Sequence, residues 1–286
     1  MFKLLRPLLL FLSALTYAFG ASLADYLGKP FRVESFWLGL IIVVLLQTTM
    51  NLLPEVYRPH NEPLVENETR IGRRNLRNNT LYVSMAALAS VAVLAYVLYN
   101  ARLLPLSGFY FLTASLIVII AYSIPPFRFL NRGFGEIFLA IQLAYIVPSF
   151  SFTLQNTQTH RFLLLTLPIA FLTFAYFIIL NFQTFSQDQK YERVTFLTRL
   201  GWERVVPLHH IFVLFAYIFL LTMPAIKLSY SLVAPAFLTL PFAIFQVIQL
   251  RNIALGAKPN WLLLHVTALS VLGLTTYFLT FTFWTR

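Results

Sequence analysis

Long apolar blocks run along this chain, separated by short polar stretches. A hydrocarbon core of about 30 Å takes about 20 apolar residues per helix. Nine blocks reach that length, at 5–26, 36–53, 79–100, 104–122, 136–154, 162–186, 206–226, 229–249 and 261–284. The pattern predicts an all-α polytopic membrane protein with nine transmembrane helices, folded as a single transmembrane domain over 1–286. In the first block, PLLLFLSALTYAFGASLA follows Lys3 and Arg6 and has the look of a signal peptide. Eight further spans follow it, so it is read as an uncleaved first helix.

Two of the polar stretches are long: 54–78 and 187–205. Connections between bundle helices usually take about 2–8 residues, so these lengths point to binding. Each follows a helix whose last turns are polar. The second span ends LQTTMNLLPE, with Gln47, Asn51 and Glu55 four residues apart. The sixth ends LNFQTFSQD, with Asn181, Thr184 and Asp188 spaced three and then four. Such spacings share one helix face. Polar residues inside a membrane face the bundle interior and mark function. The expectation is a central cavity with the two long loops at its mouth.

Charge gives that mouth a side. Fifteen of the 21 Lys and Arg residues fall in the N-terminus and the loops after spans 2, 4, 6 and 8. Basic residues collect in cytoplasmic loops. The expectation is therefore a cytoplasmic-membrane protein with a cytoplasmic N-terminus, an external C-terminus and a cytoplasmic cavity mouth. The net charge of +11 belongs to this topology and not to nucleic acid. With 59% hydrophobic and 11% charged residues the chain is far from the roughly 25% charged of soluble domains. It has no cysteine, which excludes disulfides and thiol nucleophiles.

A carboxylate at the end of each stripe suits a divalent cation and an anionic substrate, because Mg²⁺ binds through one or two carboxylates plus substrate phosphates. Arginine holds phosphate oxygens bidentately. Arg58, Arg70, Arg73, Arg74, Arg128, Arg132, Lys190 and Arg193 all fall in loops on the mouth side. A cationic mouth over an aromatic interior fits a diphosphate head on an isoprenoid tail. Between spans 4 and 5, Pro125 and Pro126 end a helix, and Glu136 opens the next, favourably for its dipole.

The segment YSIPPFRFLNRGFGE, residues 122–136, resembles the Tyr-Ser-x-Pro-Pro-x-Arg region of the UbiA superfamily of intramembrane prenyltransferases, in its menaquinone- and chlorophyll-synthase-like branches. DQKYERVTFLTRLG, 188–201, is similar to the stretch after the family's second aspartate motif, and ETRIGRRN, 68–75, to the end of its first motif loop. The resemblance implies transfer of a prenyl group from a prenyl diphosphate to a hydrophobic aromatic acceptor, quinone- or chlorin-type, within the lipid bilayer. It implies Mg²⁺ held by two aspartate motifs. Mapped here, Asn51, Glu55 and Asp188 become catalytic candidates, with Glu55 and Asp188 as the metal ligands. Arg58, Arg70, Arg73, Tyr122, Arg128, Asn181, Thr184 and Lys190 become substrate-binding candidates.

The motifs are depleted. Glu55 replaces an aspartate, Arg58 or Pro59 stands where a later one belongs, and Thr184 replaces the first aspartate of the second motif. Glu62, Glu66 and Glu68 have no assigned family position. Two alternatives stay open: a catalytically inactive relative that binds a lipid, quinone or pigment or serves as a subunit of a membrane complex, and a transporter or channel. Against the last, no charge lies deep in any span.

Overall fold

A computed structural model describes residues 2–28, 30–65, 69–156 and 160–286, with the side chains of Phe2 and Lys3 excepted. Glu66 and Glu68 lie outside the described residues. Among the described residues there are helices and no strands. Nine of the helices are long and apolar enough to cross a membrane. They are α1 (Pro7–Tyr26), α2 (Val33–Val56), α3 (Arg70–Asn100), α4 (Leu106–Ser123), α5 (Gly135–Gln155), α6 (Arg161–Lys190), α7 (Trp202–Ile226), α8 (Tyr230–Ala254) and α9 (Trp261–Thr285).

The hydropathy blocks and the helices agree in number and order, but several helices extend past the apolar blocks. The clearest is α3, which starts at Arg70 and not near 79. The cause is local: Thr69 is an N-cap whose side chain accepts a hydrogen bond from the Gly72 N–H at 3.0 Å. Its first turns are polar and therefore invisible to an apolar window. The 54–78 loop shrinks accordingly. The 187–205 loop also shortens, because α6 runs to Lys190 and a short helix, Phe196–Leu200, is capped by Thr195.

The best enclosed helix is α5, which packs against α1, α2, α4 and α6. The contact with α1 is a close backbone approach. A Cβ on Gly20 would stand 2.0 Å from the Pro148 carbonyl oxygen. Residues 142–146 form a π turn just before Pro148. Such turns arise where the regular ladder is interrupted, and Pro148 has no N–H to continue it. At the other extreme, α3 is the least covered helix; Tyr82, Met85, Val93 and Tyr96 stand on its outer surface, as lipid-facing side chains do.

One end of the bundle is stitched together by the loops that connect its helices. The Gly133 N–H, at a positive φ that suits glycine, donates to the Val194 carbonyl at 2.8 Å. Arg199 donates to the Arg132 carbonyl at 2.9 Å and lies over the Phe134 ring. The polar end of α2, the 122–136 segment and the polar end of α6 thus come together.

Candidate active site

Where these elements meet lies a cavity of about 430 Å³. Four guanidinium groups line it, from Arg6, Arg58, Arg128 and Arg193, and four carboxylates, from Glu55, Glu62, Glu136 and Asp188. Leu8, Leu9, Leu139, Phe177 and Leu180 supply apolar wall, and Tyr122, Tyr176 and His265 add polar-tipped rings. Tyr176 precedes Asp188 by three turns of α6, so the wall extends about 18 Å along the helix axis at 1.5 Å per residue. The Tyr176 hydroxyl meets His265 Nε2 at 3.4 Å.

The charged groups form a chain of alternating sign. Arg58 pairs with Glu55 and, at 2.9 Å, with Glu62. Glu62 also receives Arg193, whose other arm reaches Asp188 Oδ1 at 3.1 Å. Thr184 donates to Asp188 Oδ2 at 2.8 Å. Glu55 is approached at 3.6 Å by Arg6. Its Oε2 meets Arg58 as an ion pair without hydrogen-bond geometry. The chain Glu55–Arg58–Glu62–Arg193–Asp188 therefore ties the end of α2 to the end of α6. Burial alone would pull Arg193 below the ordinary arginine value, but Glu62 and Asp188 outweigh it and raise it.

Glu136 stands apart from that chain. Its Oε1 accepts from Asn181 and, at 3.1 Å, from the Phe196 N–H. Its Oε2 is buried with no partner. Arg128 is the cationic counterpart. Its side chain has no hydrogen-bond or ion-pair partner among the described residues, and its Nε is buried and unsatisfied. Burial lowers its pKa from the usual arginine value. Its backbone sits at φ 34°, a left-handed conformation that costs a non-glycine residue on the order of 1 kcal/mol. Arg6, at φ 48°, shares it. Backbone strain of this kind clusters at ligand sites.

Of the residues expected from sequence, Glu55, Arg58, Tyr122, Arg128, Asn181, Thr184 and Asp188 share the cavity. Four do not. Asn51 is buried one turn further into α2, where it accepts from Gln47 at 3.0 Å and donates to the Leu5 carbonyl at 2.7 Å. It fixes the chain just before Arg6. Arg73 reaches the Pro59 and His60 carbonyls at 2.6 and 3.0 Å and clamps the loop that carries Arg58 and Glu62. Arg70 is exposed in a separate groove on α3. Lys190 is exposed over the Tyr191 ring. These two side chains sit where helices end, outside the cavity wall.

The sequence matches the UbiA prenyltransferase family over residues 13–265. The chain belongs to that family. Its fold is similar to a UbiA homolog from Archaeoglobus fulgidus solved with GPP and Mg²⁺, at 15% identity, TM-score 0.69 and 99% coverage of both chains. The same homolog with DMAPP and Mg²⁺ aligns at 14% identity and TM-score 0.65, over 97% of this chain and 98% of that one. With Cd²⁺ it aligns at 15% identity and TM-score 0.66, over 96% and 97%. No curated protein matches this chain.

Membership raises the question of a metal, and the donor set answers it. Both oxygens of Asp188 are engaged, by Arg193 and Thr184. Glu55 faces Arg58 and Arg6. Among the described residues no three acidic, His or Cys side chains are placed to hold a metal ion together. The four lining carboxylates and four lining guanidinium groups cancel in formal charge, so the cavity has no acidic excess to draw in a dication. As placed, these residues do not fit a divalent cation.

Arg6, Glu62, Glu136, Arg193, Tyr176 and His265 also line the cavity, and of these the sequence pattern points to the mouth only for Arg193. Arg193 was visible as one of several loop arginines. Glu136 was visible as a helix-opening carboxylate.

Proposed function

We propose that this chain binds a prenyl diphosphate with its head at the arginine-lined mouth and its tail along the apolar wall, and transfers the prenyl group to a hydrophobic aromatic acceptor of quinol or chlorin type in the membrane. The observation that carries this reading is Arg128: an unpaired, half-buried guanidinium on a left-handed backbone, lining the cavity where the ends of α2 and α6 meet. An unpaired buried charge is costly, and a phosphate would relieve it bidentately.

The chemistry follows from the groups present. The bond between the allylic carbon and the diphosphate oxygen breaks, and the electron pair leaves on the diphosphate. Arg6 and Arg128 stabilise the charge that develops there. The allylic cation is held against the ring faces of Tyr122, Tyr176 and Phe177. An acceptor ring carbon forms the new bond, and its proton passes to the unpaired Glu136 Oε2. Asn181 and the Phe196 N–H hold that carboxylate in place. The mouth faces the cytoplasm, which the bias of basic residues supports.

A second reading has its own observation. Asp188 and Glu55 are tied up in ion pairs, as befits a relative that binds an isoprenoid and no longer turns it over. One assay separates the two. The chain in proteoliposomes is given radiolabelled prenyl diphosphates of several lengths with quinol and chlorin acceptors. Labelled, prenylated acceptor supports the enzyme. Diphosphate binding without product supports the second reading, and neither binding nor product sinks both.

A further inference from the structure

We propose that the guanidinium groups of Arg58 and Arg193 stand in for divalent cations, so that this chain holds its diphosphate without metal. The inference rests on the prenyl diphosphate reading above and concerns how the same site is neutralised.

The geometry carries it. Each carboxylate at the end of a polar stripe has a cation beside it, and that cation is an arginine. Glu55 has Arg58, Asp188 has Arg193, and Glu62 bridges the two arginines. Glu62 is 4% exposed and lies in the loop after α2, so the bridge is enclosed. Two dications brought to Glu55 and Asp188 would sit within a few ångströms of fixed positive groups. They would also have to displace ion pairs that are themselves buried, which is strongly unfavourable.

The terminal nitrogens of both arginines are taken up in holding the site together. Arg58 also donates to the Pro63 carbonyl at 2.9 Å, which anchors its loop. Arg73 clamps that loop from behind. The loop that carries Arg58 and Glu62 is thus tied down at its backbone, as a positioned cation needs. Arg128, unpaired, and Arg6, only loosely paired at 3.6 Å, remain for the phosphate oxygens. The letters that depart from the family motifs acquire a common meaning. Arg58 supplies a positive charge where a metal ligand is expected. Thr184 donates a hydrogen bond to Asp188 and adds no negative charge that would need a metal.

The test uses the full chain purified in detergent and geranyl S-thiolodiphosphate, a prenyl diphosphate analogue that resists cleavage. Its affinity is measured by calorimetry in excess EDTA and in millimolar MgCl₂. The expected result is binding in EDTA, with affinity in the two buffers agreeing within about threefold, less than 0.7 kcal/mol. The double variant Arg58→Asp, Thr184→Asp restores two carboxylates, and its binding should become tighter in MgCl₂ by about tenfold or more. Wild-type binding that appears only with MgCl₂ would overturn the proposal, and that comparison does not depend on whether the variant folds. Absence of binding in both buffers would remove the prenyl diphosphate reading itself, and this inference with it.

Discussion

Single residues decide what this cavity can hold, and Arg193 does the most. Its two arms join Glu62 to Asp188, across 131 residues of sequence in the first case. Replacing it leaves the nearly buried Asp188 without a counterion and takes one of two from Glu62. Breaking a buried pair on one side costs roughly 3–5 kcal/mol, and since Arg193 is itself a quarter exposed, Arg193→Leu should cost about 3 kcal/mol, the lower end of that range. The expected readout is a fall in the melting temperature of the detergent-purified protein. Arg132→Leu, a change to a surface side chain, should leave it nearly unchanged. An Arg193→Leu protein as stable as wild type would mean the ion chain carries no load.

The same pairings explain what the sequence shows of the site and what it hides. Glu55, Asp188, Asn181 and Thr184 are legible because helix periodicity lines them up locally. Arg128 is legible because it sits in a recognisable segment. Glu62, Tyr176 and His265 are not. Their roles come from contacts with partners far along the chain, such as Tyr176 with His265 across 89 residues, and no local pattern in one sequence encodes those. Arg70 and Lys190 mislead for the complementary reason: loop position marks a side of the membrane but not the direction a side chain faces.

At the scale of elements, apolar blocks identify the nine membrane-length helices among the described residues and misplace their polar ends. The start of α3 depends on a Thr69 cap and the extension of α6 on a polar last turn, neither of which raises hydropathy. Small residues set the contacts between helices, as membrane packing favours. The approach of α1 to α5 at Gly20 leaves no room for a methyl group, because the neighbouring atom is backbone. Gly20→Ala should cost about 3 kcal/mol, the top of the typical range for overpacking. Gly273 in α9 has nothing within 4 Å of a Cβ, so Gly273→Ala should be neutral or stabilise by roughly 0.5–1 kcal/mol. Thermal melts of the two variants in one detergent check the contrast. Equal shifts for both would show that the α1–α5 contact is looser than described.

At the scale of the molecule, a substrate drawn from the cell interior requires the arginine-lined mouth to open to the cytoplasm. The absence of native cysteine makes this easy to examine. Ala257, between α8 and α9, and Ser229, between α7 and α8, are both exposed and at opposite ends of the bundle. A membrane-impermeant maleimide added outside intact cells should label Ser229→Cys and spare Ala257→Cys. The reverse pattern would invert the topology. The central claim is that a prenyl diphosphate occupies this cavity. A prenyl diphosphate carrying a photoreactive group at the tail end tests it most directly, with cross-linked residues mapped by mass spectrometry. Label is expected on the wall of α6 around Tyr176 and Phe177 and on α9 near His265, abolished by excess unlabelled diphosphate and weakened by Arg128→Gln. Label that concentrates in the exposed groove of Arg70, Arg74 and Arg77, or that Arg128→Gln leaves untouched, would contradict it.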